Sequence, residues 1–161
     1  MDQDKLNRLP PDVKKQFLKL ALKLSEKKTK SKVHDDFLTF VKHVWPEFIE
    51  GKHHKEIAEK FNDIANKKIK RLIINMPPRH TKSEFASFLL PAWMVGRRPN
   101  LKIIQSTHTT ELAIRFGRKA KTLMDSEEYK QVFSTRLRED SQAAGKWETE
   151  QGGEYYAAGV G

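Results

Sequence analysis

Cysteine is absent from this chain of 161 residues, which excludes disulfide frameworks and thiolate metal sites together and points to a reducing compartment. Long apolar runs are missing too. The longest candidate, Phe85 to Val95, carries Ser87 and Pro91 and is about half the ~20 residues that a membrane span needs. The opening Met1-Asp-Gln-Asp-Lys5 is charged with no apolar stretch behind it, so no secretory signal is expected. Negative charge is scarce: 21 Asp and Glu against 31 Lys and Arg leave a net charge of +10. That balance favours a polyanionic partner, most commonly nucleic acid. The excess is uneven. Residues 1–32 hold ten Lys and Arg against Asp2, Asp4, Asp12 and Glu26, so this leader carries six of the ten net charges. A solvated lysine-rich helix face is the competing explanation of such a run.

What is present reads first as helix. Pro10-Pro11 opens a segment in which Val13, Phe17, Leu20, Ala21 and Leu24 recur at helical spacing. Lys27 to Lys32 reads as a polar linker, closing a basic leader over 1–32. A second helix is predicted from Val33 to Trp45 on the stripe Phe37, Phe40, Val41, Val44 and Trp45, with Pro46 as its stop. Gly51 separates it from a third, marked by Ile57, Phe61, Ile64 and Ala65. The pattern then changes. Arg71-Leu-Ile-Ile-Asn75 is a short β-branched run ending at Pro77-Pro78, a buried strand by pattern. Helical spacing returns over about 83–95, with Phe85, Phe88, Leu89, Ala92 and Trp93 on one stripe, Pro91 as a bend and Gly96 as the end. Leu101 to Ser106 is the next strand candidate, expected to lie parallel to and near 71–75. A helix over about 109–124 follows, its face being Leu112, Phe116, Ala120 and Leu123; 125–150 reads as polar and irregular, and Glu154 to Ala158 as a third strand. This alternation predicts an α/β fold, a parallel sheet with helical crossovers preceded by a helical N-terminal segment.

The stretch from Asn75 to Glu84 lies between the first strand and its helix, where a phosphate-binding loop belongs in an α/β fold. Such a loop needs backbone N–H groups at a helix N-terminus aimed at phosphate oxygens. It also needs a lysine that reaches the outer phosphates and a hydroxyl that helps to hold Mg²⁺. Lys82 and Ser83 supply the last two, with Pro78, Arg79, His80, Thr81 and Glu84 as the surrounding loop. The usual pattern, G-x-x-x-x-G-K-[ST], has glycines where Met76 and Thr81 stand. A strand-to-helix turn with an incidental Lys-Ser pair therefore competes with the nucleotide reading.

Leu72-Ile-Ile-Asn-Met-Pro-Pro-Arg-His-Thr-Lys-Ser-Glu84, followed by Pro91-Ala-Trp93, Gly96-Arg97 and Pro99, resembles the Walker A region of tailed-phage terminase large subunits. Ile103 to Gly117 is similar to the strand and helix that follow in that family. Trp147-Glu-Thr-Glu-Gln-Gly-Gly-Glu-Tyr155 through Gly161 is similar to its W-x-T…GG-x-Y…GVG segment. The resemblance covers roughly residues 34–161. It implies an ASCE-type P-loop NTPase domain over 33–161, with Walker A at 76–83 and with ATP and Mg²⁺ as ligands. Under it Lys82 clamps phosphates, Ser83 ligates the metal, Arg79 stabilises charge in phosphoryl transfer and His54 contacts adenine. The implied partners are double-stranded viral DNA, the portal protein, the small terminase subunit and further copies of the chain in a ring, with no membrane. The implied location is the host cytoplasm, transiently at the procapsid portal.

No Walker B strand is visible; Leu123-Met-Asp125 comes closest, and in the family those carboxylates lie beyond the equivalent of Gly161. The chain is thus expected to be an incomplete motor without Walker B or the C-terminal nuclease domain, binding nucleotide weakly at most and not turning it over. Asp125, Glu127 and Glu128 are the fallback carboxylates. Two rivals stay open: a helicase-type nucleic-acid motor, and a non-catalytic basic nucleic-acid-binding module with a degenerate loop. For His54 a surface histidine is the competing role, for Arg97 and Arg98 either DNA phosphates or a solvated turn, and for Thr109 or Thr110 helix capping.

Overall fold

Apolar residues at helical and strand spacing require surfaces to pack against, and in the computed structural model, which describes residues 10–160, they gather into one hydrophobic core. The leader is one helix, α1 (Pro11–Asp35). The linker expected at Lys27–Lys32 is helical, because that stretch contains neither glycine nor proline and lysine is a good helix former. Val13, Phe17, Leu20 and Leu24 share a stripe as expected but are exposed, and in α1 only Val33 is buried. Residues 1–9 of the leader lie outside the described residues.

The second helix expected from Val33 is divided at Asp36, the N-cap of α2 (Phe37–Val44). Its Oδ2 accepts from the Thr39 N–H at 2.7 Å and from the Thr39 hydroxyl at 2.6 Å. Gly51 caps α3 (Lys52–Ala65). Phe37 of α2 is the hub of the core, with edge-on contacts to Phe61 at 5.1 Å, Phe85 at 5.4 Å and Trp93 at 5.4 Å. Truncating such a residue to alanine costs about 3–5 kcal/mol.

Residues 71–75 do not form a strand, contrary to the pattern. Leu72, Ile74 and Met76 pack on the core while Ile73 is exposed, which is the alternation of extended chain. Among the described residues no strand pairs with them, and a β-branched run reports extension and burial without naming a partner. After the loop, α4 (Lys82–Glu84) runs through a π-helical turn (Phe85–Leu89) into α5 (Leu90–Arg97). The π turn ends two residues before Pro91, whose missing N–H removes a helical hydrogen bond in any case. Gly96 lies inside α5 and does not end it. A Cβ there would meet the Phe133 ring at 2.6 Å and the Tyr129 hydroxyl at 2.7 Å, so close packing requires the glycine.

β1 (Lys102–Thr107) leads to α6 (Thr110–Asp125) and α7 (Glu127–Val132). On α6, Phe116 and Ala120 are buried as expected, while Leu112 in the first turn is exposed and Ala113 takes the inward position. The stretch over 125–150, expected to be irregular, instead holds α7, β2 (Leu137–Ala143) and β3 (Lys146–Thr149), before β4 (Glu154–Gly159). The sheet order is β1-β4-β3-β2. Only β1 and β4 are parallel, with Ile104 opposite Tyr156; β4-β3 and β3-β2 are antiparallel. The fold is therefore mixed α/β with a mixed sheet and not the parallel sheet expected, since the charged residues of β2 and β3 hid an antiparallel hairpin whose buried face has few positions. Among the described residues no helix is long and apolar enough to cross a membrane.

Trp147 and Tyr155, opposite each other on β3 and β4, stack at 4.7 Å and 3° and are fully buried. The Thr149 hydroxyl donates to the Pro99 carbonyl at 2.5 Å and accepts from the Gly153 N–H at 2.8 Å. A Cβ on Gly153 would run into the Pro99 carbonyl. The W-x-T…GG-x-Y stretch thus ties the turn before β4 to the segment entering β1.

Candidate functional site

The loop reaches its helix through two residues in the left-handed region, Arg79 at φ 64° and Thr81 at φ 58°. Glycine is the residue that adopts this conformation without strain. Thr81, standing where the usual phosphate-loop pattern has its second glycine, has the backbone shape that glycine would take. The first intrahelical bond runs from the Phe85 N–H to the Thr81 carbonyl at 2.9 Å. The N–H groups of Lys82, Ser83 and Glu84 are then the orphan donors of a helix start, and the helix dipole adds positive potential there.

Three carbonyl oxygens are drawn away by the loop's own donors. His80 Nδ1 donates to the Pro78 carbonyl at 2.9 Å, the Thr81 hydroxyl to the His80 carbonyl at 2.6 Å, and Lys82 Nζ to the Met76 carbonyl at 3.5 Å. That last bond is long enough for a phosphate to replace it. An open cleft of about 310 Å³ is lined by residues Pro77 to Glu84. Pro78, Arg79, His80, Thr81, Lys82, Ser83 and Glu84 are therefore brought to one place. Arg79 and Ser83 are exposed there. Glu84 turns its carboxylate to Lys119 of α6, at 2.8 and 2.9 Å, and leaves the loop only its backbone N–H. Lys119 carried no sequence signal, since nothing in a helical lysine names its partner.

His54 is buried beneath the loop, 6% exposed. Its Nδ1 accepts from the Gly51 N–H at 2.8 Å and its Nε2 lies 2.6 Å from the Thr81 hydroxyl. Both ring nitrogens are occupied within the protein. Burial pushes its pKa below the ordinary value, and the neighbouring His53 adds to this.

Arg97 sits 4.8 Å over the Trp93 ring and donates to Asn66 Oδ1, and Arg98 donates to the Ala65 carbonyl at the end of α3. Both have structural work to do. Thr109 is the N-cap of α6, accepting from the Leu112 N–H at 3.3 Å. Asp125 pairs with Lys130 at 2.7 Å, Glu127 and Glu128 open α7, and none of the three lines the loop cleft. Among the described residues no group of three or more His, Cys, Asp or Glu side chains could hold a metal ion.

No family model matches the chain, and no curated protein or solved structure is significantly similar to it.

Proposed function

We propose that the loop over residues 76–84 binds the phosphates of ATP, and that the chain is the amino-terminal ATPase portion of a DNA-packaging motor of the terminase large-subunit type. The observation that carries this is the left-handed backbone of Thr81 directly before Lys82-Ser83 at a helix start. It gives the residue that stands at the place of the second glycine the backbone conformation a glycine would adopt. In this reading the N–H groups of Lys82, Ser83 and Glu84 cradle phosphate oxygens. Lys82 exchanges its weak bond to the Met76 carbonyl for the outer phosphates, and Arg79 approaches the transferred phosphoryl group. A Mg²⁺ ion would be held by the Ser83 hydroxyl and the nucleotide's own phosphates, and its chemistry would be neutralisation of phosphate charge. Double-stranded DNA, a portal protein, a small terminase subunit and a ring of like chains are the partners this reading implies.

The test is thermal denaturation of the chain with and without millimolar Mg²⁺–ATP. A rise in melting temperature that is absent with AMP supports the reading; no nucleotide-dependent change removes it. A basic nucleic-acid-binding module is the second reading, favoured by α1, where eight lysines stand against Asp12, Glu26 and Asp35 on a largely exposed helix. Salt-sensitive DNA binding without any nucleotide effect would favour it.

A further inference from the structure

We infer that His54 is a positioning residue for the loop: it fixes Thr81 in the left-handed conformation through a directed chain of hydrogen bonds starting at the Gly51 backbone. The role in nucleotide binding rests on the phosphate-loop reading above; the chain itself does not. The direction follows from chemistry. A backbone N–H can only donate, so Gly51 makes His54 Nδ1 an acceptor, 2.8 Å away, and that nitrogen carries no proton. The neutral ring must then carry its proton on Nε2, which donates to the Thr81 hydroxyl at 2.6 Å. With its lone pair engaged, the Thr81 hydroxyl directs its own proton to the His80 carbonyl at 2.6 Å. Every donor and acceptor in the chain has one consistent role, and such chains strengthen each bond they contain.

The ring cannot swing away. Phe48 lies edge-on at 4.8 Å, Phe85 is tilted at 5.1 Å and His53 at 3.8 Å. The N-terminus of α3 therefore fixes the place of a hydroxyl 27 residues further along the chain. A threonine at φ 58° is strained, and the fixed hydroxyl offsets that strain. The direction of the Lys82 and Ser83 N–H groups follows from the torsions of Thr81. His54 thus performs, from a distance, what the absent glycine would do by having no side chain.

Three substitutions separate the two ends of the chain. His54→Gln keeps an N–H donor for Thr81, His54→Asn keeps only an acceptor for Gly51, and His54→Ala keeps neither. Nitrogen NMR of the labelled wild-type imidazole should report a bare Nδ1 and a protonated Nε2; the opposite tautomer overturns the inference without any nucleotide. Melting temperatures of wild type, His54→Ala, Thr81→Gly and the His54→Ala–Thr81→Gly pair should show that His54→Ala costs much less once Thr81 is glycine. Full additivity overturns the coupling. If His54→Ala does not fold alone, the Asn and Gln variants carry the same comparison. With a fluorescent ATP analogue, His54→Asn should lose about tenfold in affinity, the scale for removing an outer-layer partner, and His54→Gln should lose less. Equal losses overturn the positioning role. A wild type that binds no analogue overturns the phosphate-loop reading, while tautomer and additivity still decide the chain.

Discussion

Asn62 of α3 holds Asp36, the cap of α2, from two directions: its amide donates to Asp36 Oδ1 at 2.8 Å, and its carbonyl accepts from the Phe37 N–H at 2.9 Å. Two helix ends are locked together by one amide facing one carboxylate. Asp36→Ala should destabilise the protein by about 1–2 kcal/mol, as for loss of a helix cap, and Asn62→Ala by a similar amount. The double variant should lose clearly less than the sum, because the two share partners. Urea denaturation of the four proteins measures this.

The same carboxylate predicts a pH dependence. Burial raises the Asp36 pKa, but the hydrogen bonds from Thr39 and Asn62 outweigh it and hold the group below its ordinary 3.8. A depressed carboxyl contributes stability that is present above 3.8 and lost as pH falls through the folded value. Acid titration of the melting temperature should therefore be flatter in Asp36→Asn below pH 4.

His54 acts in a higher window. Its folded pKa lies below the ordinary 6.5, lowered by burial, His53 and His80 and partly opposed by Glu50. The neutral ring is the one that accepts from Gly51, so stability should be complete above 6.5 and decline as pH falls below it. His54→Gln should remove this slope. A slope unchanged in that variant would show that it does not arise from His54.

Lys82→Ala should abolish the ATP-induced rise in melting temperature while leaving the unliganded protein as stable as before, since the side chain is partly exposed and its one hydrogen bond is 3.5 Å long. Under the proposed ATPase function, Arg79→Ala should leave ATP binding largely intact and slow turnover, by about 10³ if it works as an arginine finger. Equal loss of binding would make Arg79 a ground-state ligand.

Thr149→Val keeps the shape of a fully buried residue but strands the Gly153 N–H and the Pro99 carbonyl. The cost should be about 2–4 kcal/mol for two buried groups left unpaired. Thermal denaturation should show a fall of roughly 2–4 °C for each kcal/mol in a domain of this size.

Several elements were legible because their signal is local. The stripes of α2, α3 and α6, the strands at Leu101 and Glu154, and the Lys-Ser pair at a helix start all follow from residues a few positions apart. The strand expected at 71–75 was not, because strand formation depends on a neighbour that no local pattern specifies. The β2–β3 hairpin was hidden because Arg138, Glu139 and Asp140 are exposed, and Arg138 pairs with Asp140 beside it and with Glu148 across the hairpin. At the site, the positions of Lys82, Ser83 and Arg79 could be read from the chain. The burial of His54 and its bond to Thr81 could not, since that contact joins residues 27 apart.

The parallel pairing of β1 with β4 has a kinetic consequence. Lys102 must wait for Glu154, its partner 52 residues later, whereas α2, α3 and the hairpin close over short distances. Long-range parallel pairing is slow because chain entropy is lost before contacts repay it. During synthesis the aromatic cluster around Phe37 can consolidate first, with β1 docking last. Ile103→Ala, which removes a partly buried β1 side chain packed on the core, should then accelerate unfolding with little effect on refolding, and stopped-flow measurements showing the reverse would place β1 in the folding nucleus.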